Sequence, residues 1–317
     1  MGEQARSYIP RIQSNLSGYE FLDYKKFIRS RRRNYNEVRV LWVEIGEFID
    51  ENIIGKFPNL NFLATSTTGL THLDMKLLEQ RKIAVISLKD YPEILNEITS
   101  TAEFTWTLFL AVWRKLPKRL ISGDISNIKK LRYSDLSKQL RGKQITIIGY
   151  GRVGKKVAEY AKAFEMQIKV FDPYLECDSI KNKSVIFVKT LNSVIENSDA
   201  IIVCASKLKS KKPILNKKHI SRLKNGVVVI NTARGSLWDE EAIALALKNK
   251  KIGGIGVDVY KDEEKPGFQN LKSPIFKLNA SRYNIIRSAH VAGATCDALE
   301  LVTEFMYKKI CEILKAK

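Results

Sequence analysis

The chain has 317 residues, 44% of them hydrophobic, which is material for two domains with a core apiece. Apolar runs such as residues 200–205 are far too short to cross a bilayer, and the opening "MGEQARSYIPRIQ" lacks the apolar core of a secretory signal, so a cytoplasmic protein is expected. Lys and Arg outnumber Asp and Glu by 54 to 34, a formal net charge of +20. The excess is spread along the chain, with one dense cluster at Arg29–Arg33 and no zinc-finger spacing or RNP-like aromatic string beside it, so neither nucleic acid nor membrane is expected as a partner. Cys177, Cys204, Cys296 and Cys311 lie far apart and read as reduced thiols. With only His72, His219 and His290 available, none close to another, no metal site is expected.

In chain order, residues 37–45, 60–66 and 83–88 read as strands of a small α/β unit, with a helix at Leu73–Arg81. Ser100–Leu116 has an apolar face and no Gly or Pro, which predicts one long helix, and the polar stretch Ser122–Lys130 predicts an extended connection. From Lys143 onward, apolar runs at 144–149, 167–172, 184–188, 200–205, 226–231, 252–259 and 284–289 alternate with amphipathic stretches such as Lys155–Glu165 and Asp239–Lys250. Short buried strands alternating with helices predict a mainly parallel, doubly wound sheet covered on both faces. Residues 296–317 predict a terminal helix.

The stretch "ITIIGYGRVGKKVAEYA" sets Gly149, Gly151 and Gly154 in G-x-G-x-x-G order between a strand and a helix. Glycines permit the tight turn and let backbone amides at the helix start meet a pyrophosphate. Asp172 closes the next strand at about the 20-residue distance of the dinucleotide fingerprint. A carboxylate there accepts hydrogen bonds from ribose hydroxyls and repels a 2′-phosphate, and Pro173 and Tyr174 bring no compensating Arg, so NAD is expected rather than NADP.

A second constellation lies further along. In "VVVINTARGSLWDEEA" the buried run Val227–Ile230 leads directly to Arg234, and Asp239, Glu240 and Glu241 form the acidic first turn of the next helix. Glu263 lies just past the end of the strand at 252–259, with Glu264 competing for its role, and His290 ends the strand at 284–289. Strand ends thus deliver a guanidinium, a carboxylate and an imidazole toward one edge of the sheet. A histidine moves a proton near neutral pH, a carboxylate favours its charged form, and Arg grips a carboxylate with two parallel bonds.

Together with "TSTTGLTHLD" and "STAEFTWTLFLAVWR", these motifs stand in an order that resembles the D-isomer-specific 2-hydroxyacid dehydrogenases of the phosphoglycerate dehydrogenase-like group, from about Leu60 to the C-terminus. The resemblance implies a Rossmann cofactor domain at 100–293 and a smaller flavodoxin-like α/β substrate domain at 1–99, completed by helix 294–317. It implies Arg234, Glu263 and His290 as catalytic residues and Thr105, Arg152, Val153, Thr232, Ala233, Asp258 and Gly293 as further cofactor contacts, Asp258 on the nicotinamide side. Thr67, Thr68 and Gly69, with Arg234, would meet the substrate carboxylate. His72, beside that turn, reads as a surface or capping residue ahead of a substrate contact. The family is usually a homodimer built through the cofactor domain. Glu264 and Ala289 stand where Pro is common, and Ala292 where Gly is frequent. The expected activity is hydride transfer between NAD and C2 of a small 2-hydroxy or 2-oxo acid, and the rival reading is an NAD-sensing, corepressor-like binding protein.

Overall fold

Three strands whose every residue is buried, β4 (Gln144–Ile148), β7 (Ala200–Val203) and β8 (Val227–Asn231), form the middle of the larger sheet. They belong to a computed structural model that describes residues 34–43, 48–70, 72–119, 136–175, 184–205, 212–263 and 273–315, with residues 10, 14, 20–23, 27 and 133 besides. The expectations for Arg29–Arg33, Ser122–Lys130, Cys177 and Glu264 lie outside the described residues. The chain divides into two compact units: Met1–Ile98 with Glu264–Gly267 and Ala294–Lys317, and Thr99–Glu263 with Phe268–Gly293.

In the second unit, β5 (Gln167–Phe171), β6 (Val185–Phe187), β9 (Ile252–Val257) and β10 (Ile285–Arg287) complete a seven-stranded sheet of order β10-β9-β8-β7-β4-β5-β6. Every neighbouring pair is parallel. The chain winds outward from β4 to β6 and resumes on the other side at β7, so the order reverses between β4 and β7 and leaves a crevice at their carboxyl ends.

Seven helices among the described residues have six residues or more: α1 (Met75–Gln80), α2 (Pro92–Glu97), α3 (Ser100–Trp113), α4 (Arg152–Ala163), α5 (Lys217–Arg222), α6 (Glu240–Lys248) and α7 (Cys296–Lys315). One face of the larger sheet packs Leu108, Phe109 and Val112 of α3 and Val157 and Ala161 of α4 against Ile145, Ile147 and Ile230. The other packs Ile220 of α5 and Ile243 and Leu247 of α6 against Ile201, Val229 and Ile255. Each such Val, Leu, Ile or Phe side chain contributes about 1.5–3 kcal/mol by leaving water. This layering is what a run of buried strands alternating with amphipathic helices dictates.

Two of the boundaries that differ from the sequence reading have a local cause. The helix expected to reach Leu116 stops at Trp113, Lys115 takes a left-handed φ of 57°, and a separate turn follows at Leu116–Arg119. Pro117 explains the break, because it has no N–H for the helical ladder and its ring clashes with the carbonyl four residues back. The first strand begins at Val40 rather than at 37, because Asn34 accepts a hydrogen bond from the Asn36 amide and caps a 3-10 turn at Tyr35–Glu37.

In the first unit, β1 (Val40–Val43), β2 (Phe62–Thr65) and β3 (Ala84–Ser87) form a parallel sheet among the described residues. Trp42, Ala64 and Ile86 pack on Val302, Met306 and Ile310 of α7. On the opposite face Leu63 packs with Ile54, Phe57 and Leu78. No helix among the described residues is long and apolar enough to cross a membrane.

Candidate active site

The glycine loop sits at the switch point. Gly149 leaves β4 with φ +93°, and a Cβ there would lie 2.5 Å from the Ala205 Cα after β7. No other residue fits that approach. A Cβ on Gly154 would run into the Gly149 carbonyl, so α4 starts pressed against the strand it follows. Gly151, the N-cap of α4, is different: a Cβ there meets nothing within 4 Å. The open flank of Gly151 and the amides of the first helical turn form a cradle that fits a pyrophosphate. Arg152 opens α4, while Val153 packs its side chain on the core beneath. Under the loop, burial pushes the Cys204 thiol up to about 12, so it stays neutral beneath a site for an anion. The Asp172 carboxylate accepts from the Tyr150 amide at 2.8 Å and the Tyr174 amide at 2.9 Å, tying the end of β5 to the loop after β4.

The fit of that cradle predicts a test. Gly151→Val leaves the fold intact, since the added atoms enter open space, and weakens NADH binding at least about tenfold by occupying the approach to the amides. Titration of protein fluorescence with NADH, alongside a melting curve, checks both halves.

At the carboxyl ends of β8, β9 and β10 the three charged residues come together. Asn231, the last residue of β8, accepts from the Ala233 amide at 3.1 Å and donates to the Arg234 carbonyl at 3.0 Å, which folds the loop back on itself. The Arg234 guanidinium also donates to the Ala233 carbonyl. Glu263 Oε1 lies 3.0 Å from His290 Nδ1. This hydrogen bond raises the His290 pKa above its ordinary value against the opposing effect of burial; the Glu263 charge adds to the rise and that of Arg234 opposes it. Arg234 is therefore close enough for its field to reach the imidazole. His290 is itself in the left-handed region, φ 54°.

What holds His290 in that conformation is Asp258, expected at the nicotinamide. Its side chain is fully buried. One carboxylate oxygen accepts from the Ser288 hydroxyl at 2.5 Å and the Val291 amide at 3.0 Å, the other from the Ala292 amide at 2.8 Å, and its backbone carbonyl accepts from the His290 amide. In this structure its work is thus to hold the histidine loop. Asp258→Ala strands two buried amides and a hydroxyl, and a loss of about 3 kcal/mol or more is expected in denaturant unfolding.

Thr105, another expected cofactor contact, is likewise engaged by protein groups. It is fully buried in α3, donating to the Thr101 carbonyl and pairing with the Thr232 hydroxyl at 2.6 Å, so both hydroxyls brace the loop that carries Ala233 and Arg234. The Gly293 carbonyl accepts from the Ser100 hydroxyl at 3.2 Å.

In the first unit, the turn after β2 is held by its own side chains. The Trp42 indole donates to the Ser66 hydroxyl, Thr67 donates to the Gly69 carbonyl and pairs with Thr65, and Thr68 is exposed. His72 is neither a surface nor a capping residue. It is buried, with Nε2 3.2 Å from the Thr65 hydroxyl.

Asn231, Glu240 and Ser288 lie outside the residues that the sequence nominates for the site. For Asn231 a signal exists, an amide side chain ending an otherwise apolar strand. Glu240 reads as one more acid in a helix first turn, and Ser288 as an ordinary loop serine.

A parallel sheet with this glycine loop at its switch point defines a dinucleotide-binding α/β protein. Residues 106–292 match the family model described as the NAD-binding domain of D-isomer-specific 2-hydroxyacid dehydrogenases. The D-3-phosphoglycerate dehydrogenase of Archaeoglobus fulgidus is 31% identical over 79% of this chain and 44% of its own length. The glyoxylate reductase of Thermofilum pendens is 27% identical over 90% of this chain and 81% of its own. Among solved structures, the D-lactate dehydrogenase of Aquifex aeolicus, complexed with NAD and lactic acid, aligns with a TM-score of 0.79 at 26% identity, covering 98% of this chain and 93% of that one. The chain belongs to the D-isomer-specific 2-hydroxyacid dehydrogenase family, with NAD as cofactor. It spans about half the length of the phosphoglycerate dehydrogenases it matches.

Proposed function

We propose that the chain transfers a hydride between NAD and C2 of a small D-2-hydroxy acid or its 2-oxo partner, with His290 as acid and base, Glu263 as its partner and Arg234 as the substrate clamp. The observation that carries the reading is the Glu263–His290 pair at 3.0 Å with the Arg234 charge beside it. Bound NAD serves as hydride acceptor and NADH as donor. Gly149, Gly151, Gly154, Arg152 and Val153 would hold its pyrophosphate and Asp172 its ribose, with Ala233, Thr232, Thr105, Asp258 and Gly293 framing the rest through the loops they form or support. In reduction, protonated His290 gives its proton to the carbonyl oxygen; in oxidation, neutral His290 takes the hydroxyl proton. Glu263 keeps the imidazole oriented. Arg234 donates hydrogen bonds to the substrate carboxylate and polarises the reacting oxygen. Thr67, Thr68 and Gly69 are proposed to offer further donors to that carboxylate, which assigns Met1–Ile98 with α7 to the substrate and Thr99–Gly293 to the cofactor.

The test is turnover with NADH across a panel of 2-oxo acids, run beside a salt titration of DNA binding. Oxidation of NADH by at least one 2-oxo acid supports the reading. Salt-sensitive, NAD-dependent DNA binding without turnover overturns it in favour of a corepressor-like sensor. A homodimer through the cofactor unit is proposed as well, as the family resemblance implies. Sedimentation equilibrium returning the monomer mass would rule it out.

A further inference from the structure

We infer that Glu240 is a positioning residue that locks the loop carrying Arg234 to the turn carrying Glu263, and so sets the geometry of the Glu263–His290 pair. The inference rests on the functional reading above for the importance of that pair; the lock itself rests on contacts of Glu240 and Gly235.

An acid in the first turn of a helix ordinarily faces solvent, where the helix dipole already favours it. Glu240 does not. It is the first residue of α6, and only 4% of its surface is exposed, whereas Glu241 beside it is exposed. Full burial is rare for a carboxylate without partners. Its partners are the backbone amide of Lys261, which donates to Oε1 at 2.7 Å, and the hydroxyl of Ser273. Both lie on the chain beyond β9.

That chain needs holding. Residues 260–263 turn back sharply, with Glu263 Oε2 accepting from the Tyr260 amide at 3.0 Å and the Asp262 backbone at φ 67°. Asp enters the left-handed region more readily than most residues, and contacts from its surroundings help to hold the turn there. Two contacts do so from the β8–α6 side. A Cβ on Gly235 would collide with the Tyr260 carbonyl and the Lys261 nitrogen, so the residue after Arg234 lies flush on the turn. Five residues further on, Glu240 grips the Lys261 amide. Between the two contacts the chain is rigid, a 3-10 turn at Gly235–Leu237 followed by Asp239 capping α6 through the Ala242 amide.

Burial raises the Glu240 pKa and the neighbouring charge of Glu263 adds to the rise, while Ser273 and Lys261 oppose it. A wholly structural carboxylate need not stand within the field of the carboxylate that partners the proposed catalytic histidine; this one does. The groups that act on His290 are Glu263, Arg234 and Asp258. Glu240 enters only through the placement of Glu263.

The experiment separates the lock from the chemistry by reading His290 directly. The protein has three histidines, so the imidazole signal missing from His290→Asn identifies His290 in proton NMR, and its titration needs no turnover. Four proteins are compared: wild type, Glu240→Gln, Glu240→Asp and Glu240→Ala. Glu240→Gln keeps an oxygen at the same reach for the Lys261 amide, whereas Glu240→Asp keeps the charge and withdraws the oxygen by one methylene. His290 is expected to titrate above its ordinary value in wild type and Glu240→Gln, and to fall toward that value in Glu240→Asp and Glu240→Ala. In the same two variants kcat drops by about tenfold or more while the KM for NADH holds, as for a misplaced proton donor. Glu240→Asp supplies the answer if Glu240→Ala does not fold. An unmoved His290 titration and unchanged kcat in Glu240→Asp, whatever its melting temperature, overturn the inference. The expected His290 shifts without turnover in the wild type sink the proposed function and leave the lock standing.

Discussion

Arg234→Ala is expected to lower kcat/KM for reduction of a 2-oxo acid by two to three orders of magnitude, about 2.7–4 kcal/mol of transition-state stabilisation, as for removal of one well-placed donor to a developing oxyanion. The structure spends several contacts on this one side chain. Asn231 holds the Ala233 amide and the Arg234 carbonyl, and the Thr105–Thr232 pair anchors the loop to α3. Arg234→Lys is expected to recover little, because an ammonium lacks the planar fork that engages a carboxylate through two bonds. Charge has a second consequence. Arg234 opposes protonation of His290, so its removal raises the histidine pKa further. The pH above which reduction fails therefore moves up in Arg234→Ala even as the rate falls. Steady-state kinetics over a pH series measures both effects; a rate within threefold of wild type would end the role given to Arg234.

Much of this arrangement is legible in the chain because it is local. A buried strand ends where its apolar run ends, so β8 and β4 announce themselves, and the residues just past them, Arg234 and the glycines, are placed at the sheet's carboxyl edge by topology alone. The pairing of Glu263 with His290 is also foreseeable once β9 and β10 are neighbours. What escapes is whatever depends on tertiary contact. Nothing in the sequence signals that Asp258 and Thr105 are buried with their oxygens engaged by the loops that carry His290 and Arg234. No spacing rule distinguishes a carboxylate that faces a ligand from one that holds a loop. Glu240 and His72 mislead in the opposite sense, since a helix-start acid and a loop histidine are usually wet. The break at Pro117 and the cap at Asn34 are local and readable, and only the weight given to the apolar pattern obscures them.

The division of labour at the site is sharp. The groups proposed to touch substrate are few, and each stands on a backbone conformation that its neighbours enforce: Arg234 on the Asn231 loop, and His290 itself left-handed, with its partner Glu263 set just after the left-handed Asp262. This is the pattern expected where strain is retained because the geometry is used. It also dictates which substitutions are informative, since a change that relaxes the backbone confounds the chemistry it was meant to remove.

His290→Asn is the substitution that keeps the backbone and removes the proton. Asparagine tolerates the left-handed region better than alanine, so the loop held by Asp258 survives. The variant is expected to lose a factor of about 10²–10⁴ in kcat in both directions, the usual contribution of a positioned acid–base group. The pH dependence carries the sign. His290 has a raised pKa, chiefly through its hydrogen bond to Glu263, so in the wild type the proposed reduction is expected to be full below that pKa and to decline as pH rises through it. Oxidation does the reverse over the same interval. His290→Asn flattens both limbs. Glu263→Gln removes the largest cause of the rise, so the decline in reduction moves to lower pH and the imidazole spends more of its time neutral at about pH 7. The same linkage gives the folded state a stabilisation that is complete below histidine's ordinary 6.5 and is gone once the pH passes the raised value. Melting temperatures of wild type and Glu263→Gln should therefore differ more at about pH 6 than at about pH 9. Kinetic profiles that keep the wild-type limbs in His290→Asn would show that some other group moves the proton.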